Sequence, residues 1–505
     1  MTSKNKSGRE EDNNINNEEY DEAELLSMRL SRRAALGTGA KVAIGTALGL
    51  VIGGIGGYLA LSTQAPAVSP TTIVEKVTEK VTVTVPATSP TPTVTTVTTT
   101  PTPTTVTTAT TPTTVTTALP FKHGKKIIYL TPQIEEIFWV ACKEYLRRAV
   151  EADGWQFAFD CAEGSESKLH DQIVTYATQC DALFVFPISK AGVNEAVKIA
   201  QEEHHCPVIL CKNFSTAPGR FNIGYNDKVG GRKLVELAIN WLKEKYGTTK
   251  DKTIVSFSGS YKSMGWFLRA TGVKEAIDEH PEVNFVELLT GGTVAGWAES
   301  ADTYFSANTA DAILSASDGP YFKGVLDALD RYGQLYYVGD PNHIFVATID
   351  GKPSQLQWIR RAYVDAALPQ PIDAMFTLSW ELAKKYIIKD ASYQYPPYPM
   401  PEIPVPLEVS QPEGCYWGGK DVKMTIDRGL AFPGETEMPQ GLTPVYVVTK
   451  DNVNNPDIWG NKYTFWKGKE PIQDLTWRAK GTPPDWSQQV LREYEKMFWE
   501  YYGKR

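Results

Sequence analysis

The chain has 505 residues, a formal charge of −8 and six cysteines. That length is enough for two or three domains. The acidic balance excludes a protein that coats nucleic acid, which needs a basic surface. The cysteines are too sparse for a disulfide-built mini-scaffold.

The first 120 residues differ from the rest. Residues 1–28 are polar and mostly acidic, and bury nothing. Arg29, Arg32, Arg33 and Lys41 follow, and then 21 residues, 42–62, carry no charge. Crossing a hydrocarbon core takes roughly 20 residues. The basic flank places 1–41 in the cytoplasm and the rest of the chain outside. Ser31-Arg32-Arg33 is twin-arginine-like, and Ala65-Pro66-Ala67 mimics a cleavage site. The length of the apolar run and the proline at the site favour an uncleaved anchor over a signal. Gly45, Gly49, Gly53 and Gly57 give a small-xxx-small repeat, which glycine-rich membrane segments also show by composition alone. Pro70 to Leu119 has 24 threonines in 50 residues, so residues 63–123 read as a disordered, O-glycosylated stalk. At ~3 Å per residue it spans on the order of 150 Å.

From Lys125 short apolar runs alternate with amphipathic segments. KKIIYL, QFAFDCA, DALFVFPI and CPVILCKN predict strands, each separated from the next by a helical pattern. DKVGGRKLVELAINWLKEKYG predicts a long helix. TIVSFSG, VNFVELL, DAILSAS and IFVATID repeat the alternation. Strands apolar on both faces imply parallel sheets covered by helices. The fold class is α/β, with two doubly wound parallel-sheet lobes joined by hinge crossovers. The expected divisions are 124–225 for lobe 1, 226–370 for lobe 2, 371–442 for a return to lobe 1, and 443–505 for a last crossover strand and a Trp-rich extension. In such sheets ligands bind outside the strands' carboxyl ends. The loops after Leu130, Cys161, Ile188, Cys211, Gly259, Ser317 and Asp350 should therefore meet in one cleft.

Catalytic signatures are missing. There is no GxxxxGK[ST], GxSxG, HExxH or CxxC. His204-His205 reads as a surface pair, and six histidines offer little for a metal centre. A Cys206–Cys211 bridge across one extended strand is geometrically excluded, and the pairing of the six cysteines stays open. No catalytic residue, metal or cofactor is expected.

Read in order, the cleft segments resemble a family. KKIIYLTPQIEEIFWVACKEYLRRA, DALFVFPIS, CPVILCKN, IGYNDKVGGR, FSGSYKSMGWFLRATGV, DAILSASDGPYFKGVLDAL, VATIDG, AALPQPI and VYVVTKDNV (445–453) together are similar to the ribose-binding-like substrate-binding proteins of ABC importers, with a periplasmic binding protein type I fold. The resemblance spans roughly 124–390 and 443–454. It implies a ligand site of Glu136, Phe138, Trp139, Lys212, Asn213, Arg269, Trp297, Ser317, Asp318, Asp350 and Gln370. Aromatic faces suit the C–H faces of a sugar, and planar charged groups suit its hydroxyl edge. Singly, each residue has a plainer role: Phe138 and Trp139 as core, Arg269 as an ion pair, Asp350 as a turn residue before Gly351. Departures from the family pattern are Glu136 before the aromatics, Lys212-Asn213 after the fourth strand, and Ser317. Glu136 and Lys212 are expected to face one ligand or each other. Asn213-Phe214-Ser215 is also a glycosylation sequon, expected to be unmodified because it lies on a cleft loop.

In the tail, YQYPPYPMPEIPVP reads as a loop and residues 485–502 as an amphipathic helix, giving a cap or, in a sharper reading, a docking or polysaccharide surface. The expected protein is a membrane-anchored, extracytoplasmic solute receptor. It binds a sugar or sugar-like molecule and partners the transmembrane subunits of an ABC permease. It is not an enzyme. A nucleoside-type receptor or sensory ectodomain, and then an anchored glycan-processing enzyme, are the alternatives. Anchor and stalk point to a prokaryote without a conventional periplasm, an archaeon.

Overall fold

Apolar runs that cannot face water on either side find partners in two sheets. The computed structural model describes residues 121–189, 191–213, 216–388, 401–428, 438–468 and 477–502. The expected cytoplasmic segment 1–41, membrane segment 42–62 and stalk to residue 120 lie outside the described residues, as does most of the proline-rich tail loop. All described residues fall in one unit, Thr110–Arg505. Among them no helix is long and apolar enough to cross a membrane.

The strands are β1 Lys126–Thr131, β2 Gln156–Cys161, β3 Ala182–Val185, β4 Val208–Lys212, β5 Asn222–Tyr225, β6 Thr253–Phe257, β7 Asn284–Leu288, β8 Ala312–Ser315, β9 Phe345–Asp350, β10 Ala366–Pro369, β11 Leu407–Ser410, β12 Lys423–Arg428 and β13 Pro439–Thr443. The helices are α1 Ile137–Ala152, α2 Glu166–Ala177, α3 Asn194–Glu202, α4 Asp227–Tyr246, α5 Met264–Asp278, α6 Val294–Phe305, α7 Pro320–Arg331, α8 Pro353–Arg360, α9 Ile372–Leu382, α10 Trp459–Lys467 and α11 Asp485–Tyr502. Lobe 1 holds an eight-stranded sheet in the order β11-β12-β13-β5-β4-β3-β1-β2, and lobe 2 a five-stranded sheet in the order β10-β9-β8-β6-β7. The lobe 2 sheet is parallel throughout. The lobe 1 sheet is not, which corrects the expectation of parallel sheets alone: β11 and β12 run antiparallel at its edge. That edge alternates exposed and buried residues along β12, the signature of a half-covered antiparallel strand.

Strand β1 shows why the runs are apolar on both sides. Ile127 and Tyr129 enter one core cluster, Ile128 and Leu130 the other. Period-two alternation sends neighbours to opposite faces, and each such side chain contributes ~1.5–3 kcal/mol on burial. Strand starts carry a repeated device. The Asp181 carboxylate accepts from the amides of His123 and Lys126, Asp311 from Thr253, and Asp365 from Val346. Helix starts are capped by Ser165 and Asn226. The globular part begins earlier than the sequence implies, because Phe121 is buried against Trp155 at 4.8 Å between ring centroids.

The chain passes between the sheets after Tyr225, after Pro369, and between Thr443 and Val448. Val448 bridges to Ala367 at the edge of lobe 2. The tail then adds α10 and α11, packed on α8.

Candidate ligand-binding site

In each lobe the strand order reverses beside the first strand, between β1 and β3 and between β6 and β8. Loops leaving the carboxyl ends diverge there and leave room for side chains. From lobe 1, Glu136 comes after β1 and Lys212 ends β4. From lobe 2 come Asp227 at the start of α4, Arg269 on α5, Ser317 and Asp318 after β8, and Asp350 and Lys352 at the end of β9. Lys212 (φ 65°) and Asp350 (φ 127°) hold a backbone half-space that side-chain-bearing residues rarely adopt. Such positions cost about 1–3 kcal/mol and concentrate at functional sites.

These groups form one buried network. Lys352 Nζ lies 2.9 Å from Glu136 Oε1, 3.0 Å from Asp318 Oδ1 and 3.0 Å from Asp350 Oδ2. Arg269 donates through Nε to Asp227 at 2.7 Å and through a terminal nitrogen to Asp350 at 3.1 Å and to the Ala316 carbonyl. Lys212 reaches Asp227 at 3.3 Å and its neighbour Asn213 at 3.2 Å. Ser317 donates to Asp350 at 2.7 Å, and the Gln370 amide donates to the same carboxylate. Two of these ion pairs, Glu136–Lys352 and Lys212–Asp227, cross from lobe 1 to lobe 2.

The electrostatics follow from the crowding. Burial alone raises a carboxyl pKa, but Lys352 and Arg269 outweigh it at Asp350 and hold that group at about 2. At Asp318 burial wins over Lys352, helped by the Asp350 charge, and the pKa is pushed up to about 8. Burial likewise raises Glu136 despite Lys352. Burial opposes the charge on Lys352, but the three carboxylates keep it firmly protonated. Lys212 is lowered, because burial exceeds the pull of Asp227. The cluster therefore sets a carboxylate held low, Asp350, beside Asp318, which takes up a proton near neutrality, and Glu136, whose carboxyl burial also raises. Gln370 Oε1 is buried without a partner, leaving an acceptor for a bound molecule.

Glycines permit the approach. Gly272 lies where α5 crosses α4, and a methyl there would collide with the Lys228 carbonyl; one at Gly231 would meet the Arg269 carbonyl. The Arg269-x-x-Gly272 spacing thus brings Arg269 beside Asp227. Gly319 (φ 63°) leaves room for Lys352, whose Cδ would lie 2.8 Å from an added Cβ.

A family profile described as "periplasmic binding protein domain" matches residues 127–390, just over half of the chain. The chain belongs to that family. No curated protein matches the sequence. Among solved structures, a sugar ABC transport system substrate-binding protein from Bordetella parapertussis aligns at 14% identity over 71% of this chain and 97% of its own, with a TM-score of 0.51. An ABC transporter solute-binding protein from Burkholderia graminis, in complex with D-arabinose, aligns at 16% identity over 65% and 96%, TM-score 0.50. A galactofuranose binding protein aligns at 14% identity over 67% and 98%, TM-score 0.50. The family resemblance read from the sequence is borne out, and the fold is the periplasmic binding protein type I fold.

In this binding protein Glu136, Lys212, Asn213, Arg269, Ser317, Asp318, Asp350 and Gln370 converge. Glu136 and Lys212 do not pair with each other, as one of the two expectations had it; each finds a lobe 2 partner, Glu136 in Lys352 and Lys212 in Asp227. Asn213 turns inward and donates to the Pro187 carbonyl at 3.0 Å, while Phe214 and Ser215 of its sequon lie outside the described residues. Phe138 is buried, 5.4 Å from Trp139 and 6.1 Å from Trp459 between ring centroids, and Trp139 is half-buried against Phe186 at 4.6 Å. Trp297 is not brought to the cluster. It is fully buried in lobe 2, stacked on Phe257 at 6.1 Å and tilted against Tyr321 at 5.7 Å. Tyr321 stands in front of it, 5.6 Å from Lys352 Nζ. The loop after Cys161 stays beside Pro132 instead of reaching the cluster.

Sequence reasoning missed Lys352, Tyr321 and Trp459, and read Asp227 only as part of a matching segment. Trp459 comes from the tail: its indole N–H donates to the Asp350 carbonyl at 2.8 Å, and its own carbonyl accepts from Tyr145 of lobe 1 at 2.8 Å. The tail thus buttresses the site in addition to capping a lobe. Proximity to the Asp350-Gly351 pair was the one available signal for Lys352. Among the described residues no group of His, Cys, Asp and Glu is arranged to hold a metal ion.

Proposed function

We propose that this chain is the extracytoplasmic solute-binding component of an ABC importer, closing its lobes on a sugar or sugar-like polyol. The anchor at 42–62 and the stalk hold it at the cell membrane, and it hands the solute to the permease's transmembrane subunits. The observation that carries this reading is a buried network of hydrogen-bonding groups drawn from both lobes at the carboxyl ends of their strands. Fixed charged donors and acceptors suit a ring of hydroxyls, and a missing hydroxyl leaves one of them unpaired. One structural neighbour was solved with D-arabinose and another is a galactofuranose binding protein, which agrees with a small polyol. Hinge bending near Asn226, Gln370 and Pro444 opens the cleft, and ligand contacts to both lobes favour closure.

A thermal-shift screen over mono- and disaccharides, sugar acids and nucleosides tests the proposal. A ligand at 100 times its dissociation constant adds about 2.7 kcal/mol. One small polyol raising the melting temperature by several degrees is the expected result. Stabilisation by a nucleoside alone transfers the assignment to a nucleoside receptor, and turnover of an oligosaccharide transfers it to an enzyme.

A further inference from the structure

All six cysteines are buried and unbridged. Two of them touch: Cys180 Sγ and Cys206 Sγ lie 3.8 Å apart. Cys142 and Cys211 lie in the other core cluster, near enough for Cys211 to add to burial in pushing the Cys142 thiol up. Cys161 Sγ contacts the Pro132 carbonyl at 3.6 Å, and Cys415 Sγ accepts from Lys462 at 3.7 Å. Cys180 and Cys206 stand just before β3 and β4, which pair in parallel with Leu183 opposite Val208. The two cysteines are therefore offset by a single residue on adjacent strand starts. The Leu183 amide bonds to the Pro207 carbonyl at 3.0 Å, which holds that offset.

We infer that Cys180 and Cys206 are a disulfide site in the exported protein, stapling the β3-α3-β4 unit of lobe 1. Side-chain rotation must bring the sulfurs to about 2.0 Å. The oxidant is an exchangeable disulfide, either a small-molecule disulfide or a disulfide oxidoreductase. One thiolate attacks it, forms a mixed disulfide and releases one thiol. The second thiolate displaces the other half. The protein loses two protons and two electrons, and the donor is reduced to two thiols. Both sulfurs are buried, and burial pushes the Cys206 thiol well up. Oxidation therefore takes place while lobe 1 folds, when thiolates form readily. The bridge lies at the amino ends of the strands, at the opposite end from the ligand network, so it braces the β4 strand that presents Lys212 without touching the site.

The full chain is refolded with reduced and oxidised glutathione, denatured, alkylated and mapped by peptide mass. Refolding in vitro keeps the outcome independent of cellular location and of the solute. The expected result is one linked pair, Cys180 with Cys206, with the remaining cysteines alkylated. Full alkylation of either, or linkage to another cysteine, overturns the inference. Reductant lowers the melting temperature of the parent by ~5 °C or more, while that of Cys180→Ala does not respond. A parent whose melting temperature ignores reductant overturns the stapling role.

Discussion

Lys352→Met removes the single cation shared by three buried carboxylates. Lys352 is 1% exposed, and its ammonium lies within 3.0 Å of Glu136, Asp318 and Asp350. Arg269 still neutralises Asp350, so Glu136 and Asp318 bear the loss. Leaving a buried charge unpaired costs about 3–5 kcal/mol. At ~2–4 °C per kcal/mol for a cooperative unit of this size, the melting temperature falls on the order of 10 °C. Protonation limits the damage. Asp318 already titrates at about 8, and Glu136 is raised by burial. A raised carboxyl contributes stability that is complete below its unfolded value and is lost as pH rises through the folded one. The deficit of Lys352→Met is therefore small at pH 5 and large at pH 8. Scanning calorimetry of parent, Lys352→Met and the charge-balanced Glu136→Gln/Lys352→Met at both pH values reads this directly. A variant melting within ~1 °C of the parent at pH 8, or a deficit larger at pH 5, refutes the reasoning.

Glu136→Gln and Lys212→Met each remove an ion pair that spans the lobes. A hydrogen bond to a charged group is worth ~1.5–3 kcal/mol, so each shifts the closed-to-open ratio by about 10- to 100-fold toward open; unchanged X-ray scattering profiles in both variants contradict this. Gly272→Ala drives a methyl into the Lys228 carbonyl. Overpacking costs ~1–3 kcal/mol, and solute affinity drops with it because Arg269 moves; a neutral melting curve with full affinity counts against the helix-crossing account. His343 donates between the Tyr336 carbonyl at 2.8 Å and Asp365 at 2.9 Å. Burial opposes its protonation, but Asp365 raises the pKa above 6.5. Its contribution is complete below the unfolded pKa and fades as pH rises through the folded one, so His343→Gln is destabilised more at pH 5.5 than at pH 8.5. Equal loss at both assigns the ring a packing role only.

Parallel strands were legible because a doubly covered strand must be apolar on both faces, as IIYL and ALFV are. The strands β11 to β13 at one end of the lobe 1 sheet were not. PQGLT carries proline and glycine and forms a strand only because β5 offers an open edge. Arg269, Asp350 and Gln370 stood out through family-like segments. Lys352 did not, because a lysine before a proline reads as surface, and its burial is compensated by Glu136, far away in the sequence. Trp297 read as a cleft face, but its helix turns it into the lobe 2 core and leaves Tyr321 in front. Trp459 was hidden in the tail, and only the folded chain brings it to Asp350 of lobe 2 and Tyr145 of lobe 1.

Calorimetric titration of the best-stabilising polyol into the parent and Asp350→Asn tests the binding claim most directly. Asp350 gathers Arg269, Ser317, Gln370 and Lys352. The parent should bind one molecule per chain, and Asp350→Asn should lose about tenfold or more in affinity. Equal affinity in the two proteins places the solute elsewhere than between the lobes.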